Sequence, residues 1–299
     1  MIGPILITGG TGTVGAALLR HWADRDDVTV LSRGEHRQER LARKFPSVKF
    51  VIGDVRDEGR LRQVMRGHRI VIHAAALKIA PAGEPNPYEF VLTNATGTEF
   101  VCRAARDVGV RRLMTISTDK AVEPVGVYGA SKLAAERLTL AANNAAELLA
   151  SVFRMGNVVN SRGSVVPLFR ALAAAGNPLP ITDRRMTRFF IRPEDAANAI
   201  VTCLLAQQGG EIFAPRCAAA RITDIADMLG PGAEQKEIGL RPGERAHETL
   251  VGEDEYATAA DVGELMILRP GPIRRARSRY SSDKEYQTIG PDLARLIAA

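Results

Sequence analysis

Short β-branched segments alternate with longer helical patterns through the first half of the chain, and this alternation limits the fold more than any other feature. Strands that alternate with helices form right-handed βαβ units, in which a parallel sheet is covered on both faces. We therefore predict an α/β fold: a doubly wound parallel sheet of the Rossmann type, with a ligand beyond the carboxyl ends of the strands. The predicted strands are residues 5–8, 28–32, 48–53, 69–76, 112–117 and 148–154, and the main helices are 13–23, 57–65, 88–107 and 128–144.

The alternation fades after Arg154, where glycine and proline interrupt the sequence at short intervals. We expect this half to contribute a smaller α/β lobe that binds the substrate. A helix over 192–206 has Pro193 in its first turn and acids after it, and we expect it to pack back on the sheet. The predicted division is 1–153 with about 183–210 for the nucleotide-binding domain, and about 154–182 with 211–299 for the lobe.

The composition of the 299 residues, 45% hydrophobic and 25% charged, is typical of a globular protein, and no apolar run approaches the length of a membrane span. The first ten residues, MIGPILITGG, predict a strand rather than a signal peptide. Cys102, Cys203 and Cys217 have no metal-ligand or redox spacing. We expect a cytoplasmic protein that binds no metal and whose cysteines are buried thiols.

The net charge is +6, and the basic run RRARSR at residues 274–279 is locally dense. A basic excess is compatible with nucleic acid, an anionic membrane or a polyanionic small ligand, and the run is equally compatible with a solvated segment. No recognised nucleic-acid module accompanies it. We expect neither nucleic acid nor a membrane as a partner.

The first predicted strand runs into TGGTGTVG, in which Gly9, Gly12 and Gly15 are spaced three apart. Because glycine has no Cβ, the backbone amides of a tight strand-to-helix turn can approach a pyrophosphate, and the helix N-terminus adds its partial positive charge. The pattern is weak evidence alone and strong evidence after the first strand of an α/β chain. It predicts a dinucleotide site at Thr8, Gly9, Gly12, Thr13, Val14 and Gly15.

The end of the second predicted strand, LSRGEHRQ, indicates which dinucleotide binds. An acid there would hold the ribose 2′-hydroxyl of NAD, whereas a basic residue accommodates the 2′-phosphate of NADP. Ser32, Arg33 and Arg37 are present, and the nearest acid, Glu35, lies two residues beyond Arg33, so we favour NADP over NAD. Further cofactor contacts are predicted at Asp54 and Val55, and at the small residues Ala74, Ala75 and Ala76; Asp54 could instead cap the following helix.

Tyr128 and Lys132 are four residues apart, so on a helix they share a face. A lysine ammonium beside a phenol lowers a pKa that starts near ~10, which makes Tyr128 a usable base near neutral pH. Both residues would also lie alongside the cofactor. Upstream, Thr118, Asp119 and Lys120 end the fifth predicted strand and can bind a substrate hydroxyl, donate a proton and accept a proton, respectively. The alternative is a polar turn with a surface Asp–Lys pair.

Together with the glycine turn, the Tyr-x-x-x-Lys pair resembles the extended branch of the short-chain dehydrogenase/reductase superfamily, whose members modify nucleotide sugars. The series HAAALKIAP, TNATGTEFV, STDKAVEP, YGASKLAAE, RMGNVVNSRGSVVPLF, ITDRRMTRFF, RPGERAHETLVGEDE and YSSDKEYQ resembles, nearly end to end, the configuration-inverting UDP-N-acetylglucosamine 4,6-dehydratases of polysaccharide biosynthesis. The chain departs from that family at Pro85, Gly126 and Met155, which leaves the identity of the hexose open.

The resemblance implies a hydro-lyase that uses NADP and a UDP-sugar and that forms homo-oligomers. Tyr128 would take the C4 hydroxyl proton while the cofactor takes the C4 hydride. Lys120 would then remove the C5 hydrogen, Asp119 would protonate the departing C6 hydroxyl, and the hydride would return to C6. C5 would then be reprotonated, on the opposite face if the enzyme inverts. Substrate contacts are expected at Lys78, Asn94, Asn157, Arg162, Val165, Arg188, Arg241 and Glu244.

Several alternatives stay open. Asn94 could support the active-site backbone rather than bind substrate, and any one of the three arginines could form a surface salt bridge. The protein could be a UDP-sugar C4 or C5 epimerase of the same superfamily, although an epimerase needs no acid and base for elimination at C6. It could also be a non-catalytic NADP-binding sensor, although such a protein would not need Tyr128 and Lys132.

Overall fold

The fold is seen in a computed structural model that describes residues 3–143, 147–256, 259–269, 279–285 and 296–297. Within them the strands are β1 (Ile5–Thr8), β2 (Val28–Ser32), β3 (Lys49–Ile52), β4 (Ile70–His73), β5 (Arg112–Thr118), β6 (Leu149–Met155), β7 (Asn157–Val158), β8 (Leu179–Ile181), β9 (Thr187–Ile191), β10 (Ile212–Pro215), β11 (Ala218–Arg221), β12 (Gln235–Glu237), β13 (Thr249–Val251), β14 (Ala259–Val262), β15 (Leu265–Leu268) and β16 (Tyr280–Ser281).

The helices of the same residues are α1 (Thr13–Arg20), α2 (Glu35–Ala42), α3 (Glu58–Met65), α4 (Ala80–Gly83), α5 (Pro87–Phe90), α6 (Gly97–Asp107), α7 (Val127–Ala142), α8 (Val165–Ala174), α9 (Pro193–Ala206), α10 (Ile222–Leu229) and α11 (Glu253–Tyr256). A π-helix, Val91–Thr96, joins α5 to α6. A 3₁₀ turn, Asp119–Ala121, follows β5.

In the described part of the chain the central sheet has nine strands, in the order β14-β15-β10-β6-β5-β4-β1-β2-β3. The seven strands from β10 to β3 pair in parallel, and β15 and β14 extend the sheet antiparallel. The order 3-2-1-4-5-6 is that of a dinucleotide-binding sheet, in which the winding reverses between β1 and β4. The predicted doubly wound α/β fold is confirmed, and the reversal places the ligand crevice at the carboxyl ends of these two strands.

The six predicted strands are present, and the largest difference is at β4, predicted over 69–76 and ending at His73. The three alanines after it leave the sheet at the crevice. The predicted helix 88–107 is divided into α5, the π-helix and α6. The predicted helix 128–144 is α7, and residue 144 lies outside the described residues.

Alternate residues of β1 pack on opposite faces of the sheet, as the pleat requires. Ile5 and Ile7 join the core that contains residues of α1 and α9, whereas Leu6 joins the core that contains residues of α3 and α6. Helix α9 has Pro193 at its first turn followed by two acids, and it buries Ala196 and Ile200 in the first of these cores. The prediction that this helix packs back on the sheet is confirmed.

The second half of the chain builds a third core around Phe169, Ile181 and Phe190. The small sheet β11-β9-β7 and the pair β12-β8 contribute to it. Strands β10, β14 and β15 come from the range 211–299 that the sequence assigned to the lobe, yet they lie in the central sheet. The division into a nucleotide-binding domain and a substrate-binding lobe remains a proposal, and in it these strands now count with the sheet.

Three further expectations concern features outside the sheet. The cysteines are buried free thiols, as predicted. Within the described residues, no helix has the length and apolar character needed to cross a membrane, and no cluster of His, Cys, Asp and Glu could hold a metal ion. Of the basic run, residues 274–278 lie outside the described residues.

Candidate functional site

The turn between β1 and α1 brings the backbone against the end of β4. Gly9 has a φ of +68°, and a Cβ built on it would lie 2.6 Å from the backbone nitrogen and Cα of Ala75. A Cβ on Gly15 would lie 2.4 Å from the Cα of Gly10. Gly12 precedes α1, which begins at Thr13 without a side-chain cap, so the amides of its first turn are left for a ligand. The geometry fits a dinucleotide pyrophosphate.

His73 links this turn to the helix that follows β4. Thr98 Oγ1 donates to the carbonyl of Asn94 at 2.6 Å, so His73 Nε2, 3.0 Å away, donates to Thr98 Oγ1. His73 Nδ1 then accepts from Thr8 Oγ1 at 2.7 Å. Burial and the nearby charge of Lys132 lower the pKa of His73 to about 3. The imidazole is neutral and fully bonded, and it fixes Thr8, a predicted cofactor contact.

A charged cluster lies after β2 and β3. Arg33 is exposed, and its Nη1 is 3.7 Å from Asp54 Oδ2. Arg56 donates to the same oxygen from Nη2 at 2.7 Å and from Nε at 2.9 Å. Burial raises the pKa of Asp54, but the hydrogen bonds and charge of Arg56 outweigh burial, so the pKa is lowered. The cap of α3 is Asp57, which accepts from the Arg60 amide at 2.8 Å, so Asp54 is not that cap.

Further arginines lie near the glycine turn. Arg162, predicted to bind a substrate diphosphate, donates from Nη2 to the carbonyl of Thr11 at 3.0 Å. Burial, followed by repulsion from the charges of Arg37 and Arg40, lowers the pKa of Arg162. Ser32 Oγ accepts from Gln38 Nε2 at 2.9 Å. Arg162 therefore belongs to the cofactor end of the crevice.

The other predicted cofactor contacts line the same edge of the sheet. Val14 and Ala74 are partly buried against the first core, Val55 is buried in the second core, and Ala75 packs against the second core. Ala76 is exposed just beyond them. The cofactor candidates of the sequence thus cluster around the carboxyl ends of β1, β2, β3 and β4.

The catalytic candidates stand where β5 ends and α7 begins. Thr118 is the last residue of β5, and the 3₁₀ turn after it carries Asp119 and Lys120. A Cβ on Gly129 would lie 2.2 Å from the carbonyl oxygen of Lys120. Only glycine permits this contact between α7 and the turn. The contact brings Tyr128, the neighbour of Gly129, against the Thr-Asp-Lys segment.

Asp119 is fully buried. Its Oδ1 accepts from Thr118 Oγ1 at 2.9 Å and from Lys120 Nζ at 3.0 Å. Its Oδ2 has no hydrogen-bond partner among the described residues. Burial raises the pKa of Asp119, and the charge of Lys120 only partly opposes this. A buried carboxyl with a raised pKa and one unpaired oxygen is suited to donate a proton.

Lys120 lies between two carboxylates. Its Nζ is 3.0 Å from Asp119 Oδ1, 3.2 Å from Glu248 Oε1 and 3.4 Å from Asn157 Oδ1. Burial lowers the pKa of Lys120, but the charges of Asp119 and Glu248 outweigh burial, so the pKa is raised. In this arrangement Lys120 is an ammonium, whereas a base that accepts a proton must first be neutral.

Tyr128 and Lys132 share the buried face of α7, as their spacing predicts. Burial raises the pKa of Tyr128, and Lys120 is the cation that opposes this increase, together with a hydrogen bond to Thr118. Lys132 Nζ instead donates to the carbonyl of Ile116 at 2.7 Å, and burial lowers the pKa of Lys132 to about 8. The sequence predicts that Lys132 lowers the pKa of Tyr128. In the structure the ammonium of Lys132 instead donates to the backbone of β5, and Lys120 is the cation that acts on Tyr128.

Asn94 lies in the π-helix, a feature common at functional sites. Its Oδ1 accepts from the Leu77 amide at 2.8 Å, and its Nδ2 donates to the Leu77 carbonyl at 2.9 Å and to Ser131 Oγ at 3.0 Å. The side chain is 1% exposed. These contacts favour the role of supporting the active-site backbone over that of binding substrate.

The remaining predicted substrate residues are divided. Asn157 contacts Lys120, and its Nδ2 donates to the Phe189 carbonyl at 3.1 Å. Arg188 is buried and donates to the carbonyls of Thr187, Arg245 and Ala246 at 2.7, 2.9 and 3.0 Å, so its guanidinium holds backbone rather than facing a diphosphate. Arg241 and Glu244 pair with each other, with Nη2 and Oε1 2.6 Å apart. Lys78 is exposed, and Val165 begins α8.

Three site residues are missing from the sequence prediction. Glu248 contacts Lys120, and Arg245 Nε lies 3.3 Å from Glu248 Oε2. Glu84 Oε1 accepts from the Val127 amide at 2.9 Å, at the N-terminus of α7. Arg245 and Glu248 lie in the motif RPGERAHETLVGEDE, and Glu84 follows HAAALKIAP. The contacts of Glu248 with Lys120 and of Glu84 with Val127 join segments far apart in the chain, so spacing could not single these residues out.

These residues line a small pocket. It has a volume of about 10 Å³ and is lined by Glu84, Lys120, Tyr128, Arg245 and Glu248, among others. That volume suits about one water molecule. The charged groups of both halves of the chain therefore converge on one small pocket beside Tyr128.

The match to known proteins agrees with this arrangement. A family model described as polysaccharide biosynthesis protein matches residues 5–270. The chain belongs to this family. The UDP-N-acetylglucosamine 4,6-dehydratase (inverting) of Campylobacter jejuni subsp. jejuni is 44% identical to this chain over 261 residues, which cover 84% of this chain and 78% of that protein. The family resemblance inferred from the motifs is confirmed.

One further relative and one solved structure match this chain over most of its length. A Rickettsia canadensis protein named UDP-glucose 4-epimerase is 38% identical over 275 residues, which cover 87% of this chain and 81% of that protein. The X-ray structure of Pen from Bacillus thuringiensis has a TM-score of 0.93 at 32% identity, and the match covers 99% of this chain and 97% of that chain. The fold is therefore shared with a solved structure almost end to end.

Proposed function

We propose that this protein is a UDP-N-acetylglucosamine 4,6-dehydratase that inverts C5, a hydro-lyase that eliminates water across C5 and C6 of the sugar. The observation that supports this most is Asp119: a buried carboxyl with an unpaired Oδ2, next to Lys120 and on the Tyr128 side of the turn. The identity of 44% to the dehydratase of C. jejuni supports the same substrate.

The proposed chemistry assigns one proton to each of three groups. Tyr128, as the phenolate, accepts the C4 hydroxyl proton as C4 is oxidised. The C4 ketone acidifies the C5 hydrogen, which Lys120 accepts as a neutral amine. Asp119 donates its proton to the C6 hydroxyl, which departs as water, and the raised pKa of this buried carboxyl favours its protonated form. Thr118, bonded to Asp119, keeps the carboxyl in place.

A nicotinamide dinucleotide would supply the acceptance of the hydride from C4 and its return to C6, after which C5 takes up a proton on the face opposite the one that lost it. The turn around Gly9, Gly12 and Gly15 would hold the pyrophosphate of the dinucleotide. We propose NADP rather than NAD. Arg33 is exposed directly after β2, a strand that carries no acid, and Arg162, whose pKa is lowered by burial and then by the charges of Arg37 and Arg40, donates to the Thr11 carbonyl of the neighbouring turn. Such a concentration of positive charge suits a 2′-phosphate.

Closure of the site is part of the proposal. Residues of the second half, including Arg188, Arg245 and Glu248, meet the Thr-Asp-Lys segment, so the UDP-sugar would bind between the sheet and the smaller lobe. Elimination benefits from a site that excludes water. We further propose that the protein works in the cytoplasm as a homo-oligomer, without nucleic acid or a membrane as a partner.

Product analysis tests the proposed function. Purified protein is incubated with UDP-N-acetylglucosamine, and the product is examined by mass spectrometry and NMR. Loss of one water with an inverted C5 is expected. An unchanged mass with a changed C4 configuration would contradict the proposal and favour the second candidate, a UDP-sugar 4-epimerase, to which the 38% identity of the Rickettsia relative points.

A further inference from the structure

Glu248 lies in the catalytic centre, although it is far along the chain from the other candidates. Its side chain is 2% exposed, and its Oε1 is 3.2 Å from Lys120 Nζ. The same Nζ is 3.0 Å from Asp119 Oδ1. The ammonium of Lys120 is therefore held from two sides, by one carboxyl of the 3₁₀ turn after β5 and one that directly precedes β13.

Two segments hold Glu248 at this point. Ser282 donates its amide to the Glu248 carbonyl at 2.8 Å and accepts the Glu248 amide at Oγ at 3.0 Å. Thr187 Oγ1 lies 2.7 Å from Ser282 Oγ and 2.8 Å from His247 Nδ1. The YSSDK motif, to which the proposed chemistry gives no role, thus fixes the backbone of Glu248 through Ser282.

The charges around the pair are unequal. Glu248 faces three cations: Lys120, Arg188 at 3.7 Å and Arg245 at 3.3 Å. Burial raises the pKa of Glu248, but these cations outweigh burial and lower it. Lys120 faces Asp119, Glu248, Arg188 and Tyr128. Glu248 therefore stays ionised, and Asp119 is the carboxyl of this site that can keep a proton.

We propose that Glu248 is a positioning residue for proton transfer at C5: it fixes the Lys120 side chain beside Asp119, and Ser282 fixes Glu248. The proposal rests on the proposed function, which assigns the C5 proton to Lys120. In that step the C5–H bond breaks, its electron pair enters the enolate of the C4 ketone, and the proton forms an N–H bond with the neutral amine. Because Glu248 favours the ammonium, it also sets the pH above which Lys120 can accept.

The test is the pH dependence of solvent-deuterium incorporation at C5 in the wild type and in Glu248→Gln. Loss of the negative charge should move the rising limb of the profile to lower pH by about 1 unit. Loss of the fixed geometry should lower the plateau about 10-fold. Glu211→Gln is the matched control, since Glu211 is also buried but bonds Ser151 at 2.7 Å, at the amino-terminal edge of the sheet. Its limb should coincide with that of the wild type.

The proposal is overturned if the rising limb of the Glu248→Gln pH profile lies at the same pH as that of the wild type, even if the rate falls. A purely structural role would lower the plateau of the profile without moving the limb. Glu248→Asp keeps the charge at a greater distance, so its limb should lie between the two. If Glu248→Gln does not fold, Ser282→Ala, which loosens Glu248, should move the limb the same way by less, and an unmoved limb would overturn the proposal. A wild type that removes no water contradicts the proposed function itself; a dehydrating wild type with unmoved variants contradicts only the role of Glu248.

Discussion

Arg154 and Glu136 form an ion pair in which neither side chain is exposed and Nη2 lies 2.6 Å from Oε2. Arg154 is on β6, and Glu136 is on α7, the helix that carries Tyr128. Ser117, on β5, donates from Oγ to Glu136 Oε1 at 2.6 Å. The pair therefore ties the two strands and the helix beneath the candidate site to one another.

Glu136→Gln should destabilise the protein strongly, because it leaves the buried guanidinium of Arg154 short of one negative partner. Loss of one partner from a buried pair costs about 3 kcal/mol or more, and Glu255, which also contacts Arg154 at 2.8 Å, limits the loss. Urea unfolding measures it. Glu39→Gln, in an exposed pair with Arg43 on α2, is the control and should cost under about 1 kcal/mol. Equal losses in both variants would contradict a structural role for the buried pair.

Tyr128→Phe should abolish turnover while the dinucleotide still binds. The substitution removes the only atom that can accept the C4 hydroxyl proton in the proposed chemistry, and it leaves the ring packed against Phe90, 6.2 Å away between centroids. Product formation and dinucleotide titration by fluorescence separate the two effects. Tyr88→Phe is the control, because Tyr88 is 71% exposed and should retain full turnover. Turnover within a few-fold of wild type in Tyr128→Phe would rule out the assigned base.

The sequence predicts the fold well because alternation and glycine spacing are local signals. It misses the early end of β4 because small apolar alanines suit a strand as well as a turn at a crevice. It also misses the π-helix, since Val91–Thr96 is set by the bonds of Asn94 to Leu77 and Ser131, which are distant in sequence. Strands β10, β14 and β15 join the central sheet through pairing that periodicity does not encode.

The same distinction applies to the candidate site. The residues from Thr118 to Lys132 are close in sequence, and the structure brings them together as spacing suggests. The positions of Glu248 and Arg188 depend on contacts between segments that are far apart in the chain. The sequence alone could therefore not predict which residues lie next to them. The sequence predicts that Arg162 binds the substrate diphosphate, whereas in the structure this side chain lies at the glycine turn. The sequence contains no signal that tells which phosphate a given arginine contacts.

Arg33→Ala should weaken binding of NADP more than binding of NAD. The side chain is exposed at the end of β2, where a 2′-phosphate would lie, and a charge-assisted contact with phosphate contributes about 1.5–3 kcal/mol. The loss should be about 10-fold or more for NADP and small for NAD, measured by calorimetric titration of both dinucleotides. Arg43→Ala, at the far end of α2, should change neither affinity. Equal weakening of both dinucleotides would contradict the preference for NADP.

Lys120→Met should stop exchange at C5 while oxidation at C4 persists at a lower rate, because Lys120 is also the cation that opposes the raised pKa of Tyr128. The variant keeps a long side chain near Asp119 but lacks the amine that accepts the C5 proton. Bound cofactor should become reduced on mixing with UDP-N-acetylglucosamine, seen as absorbance of the reduced nicotinamide, while deuterium incorporation at C5 falls at least ~100-fold. Lys49→Met, on the exposed edge strand β3, is the control and should behave as wild type. Exchange at C5 that survives in Lys120→Met would assign the base to another group.

His73→Gln should reduce the loss of stability that the wild type shows in mild acid. The pKa of His73 is lowered from 6.5 to about 3 in the folded state, so between these values the unfolded chain binds a proton that the folded protein does not. Stability from the neutral imidazole is therefore complete above pH 6.5 and falls as the pH decreases towards 3, by up to about 1.4 kcal/mol per pH unit. Glutamine can still bond Thr8 and Thr98 but does not titrate. Free energies of unfolding from denaturant titrations at several pH values between 4 and 7 should show a shallower slope in the variant, and slopes that coincide would mean that His73 is not the neutral buried group described here.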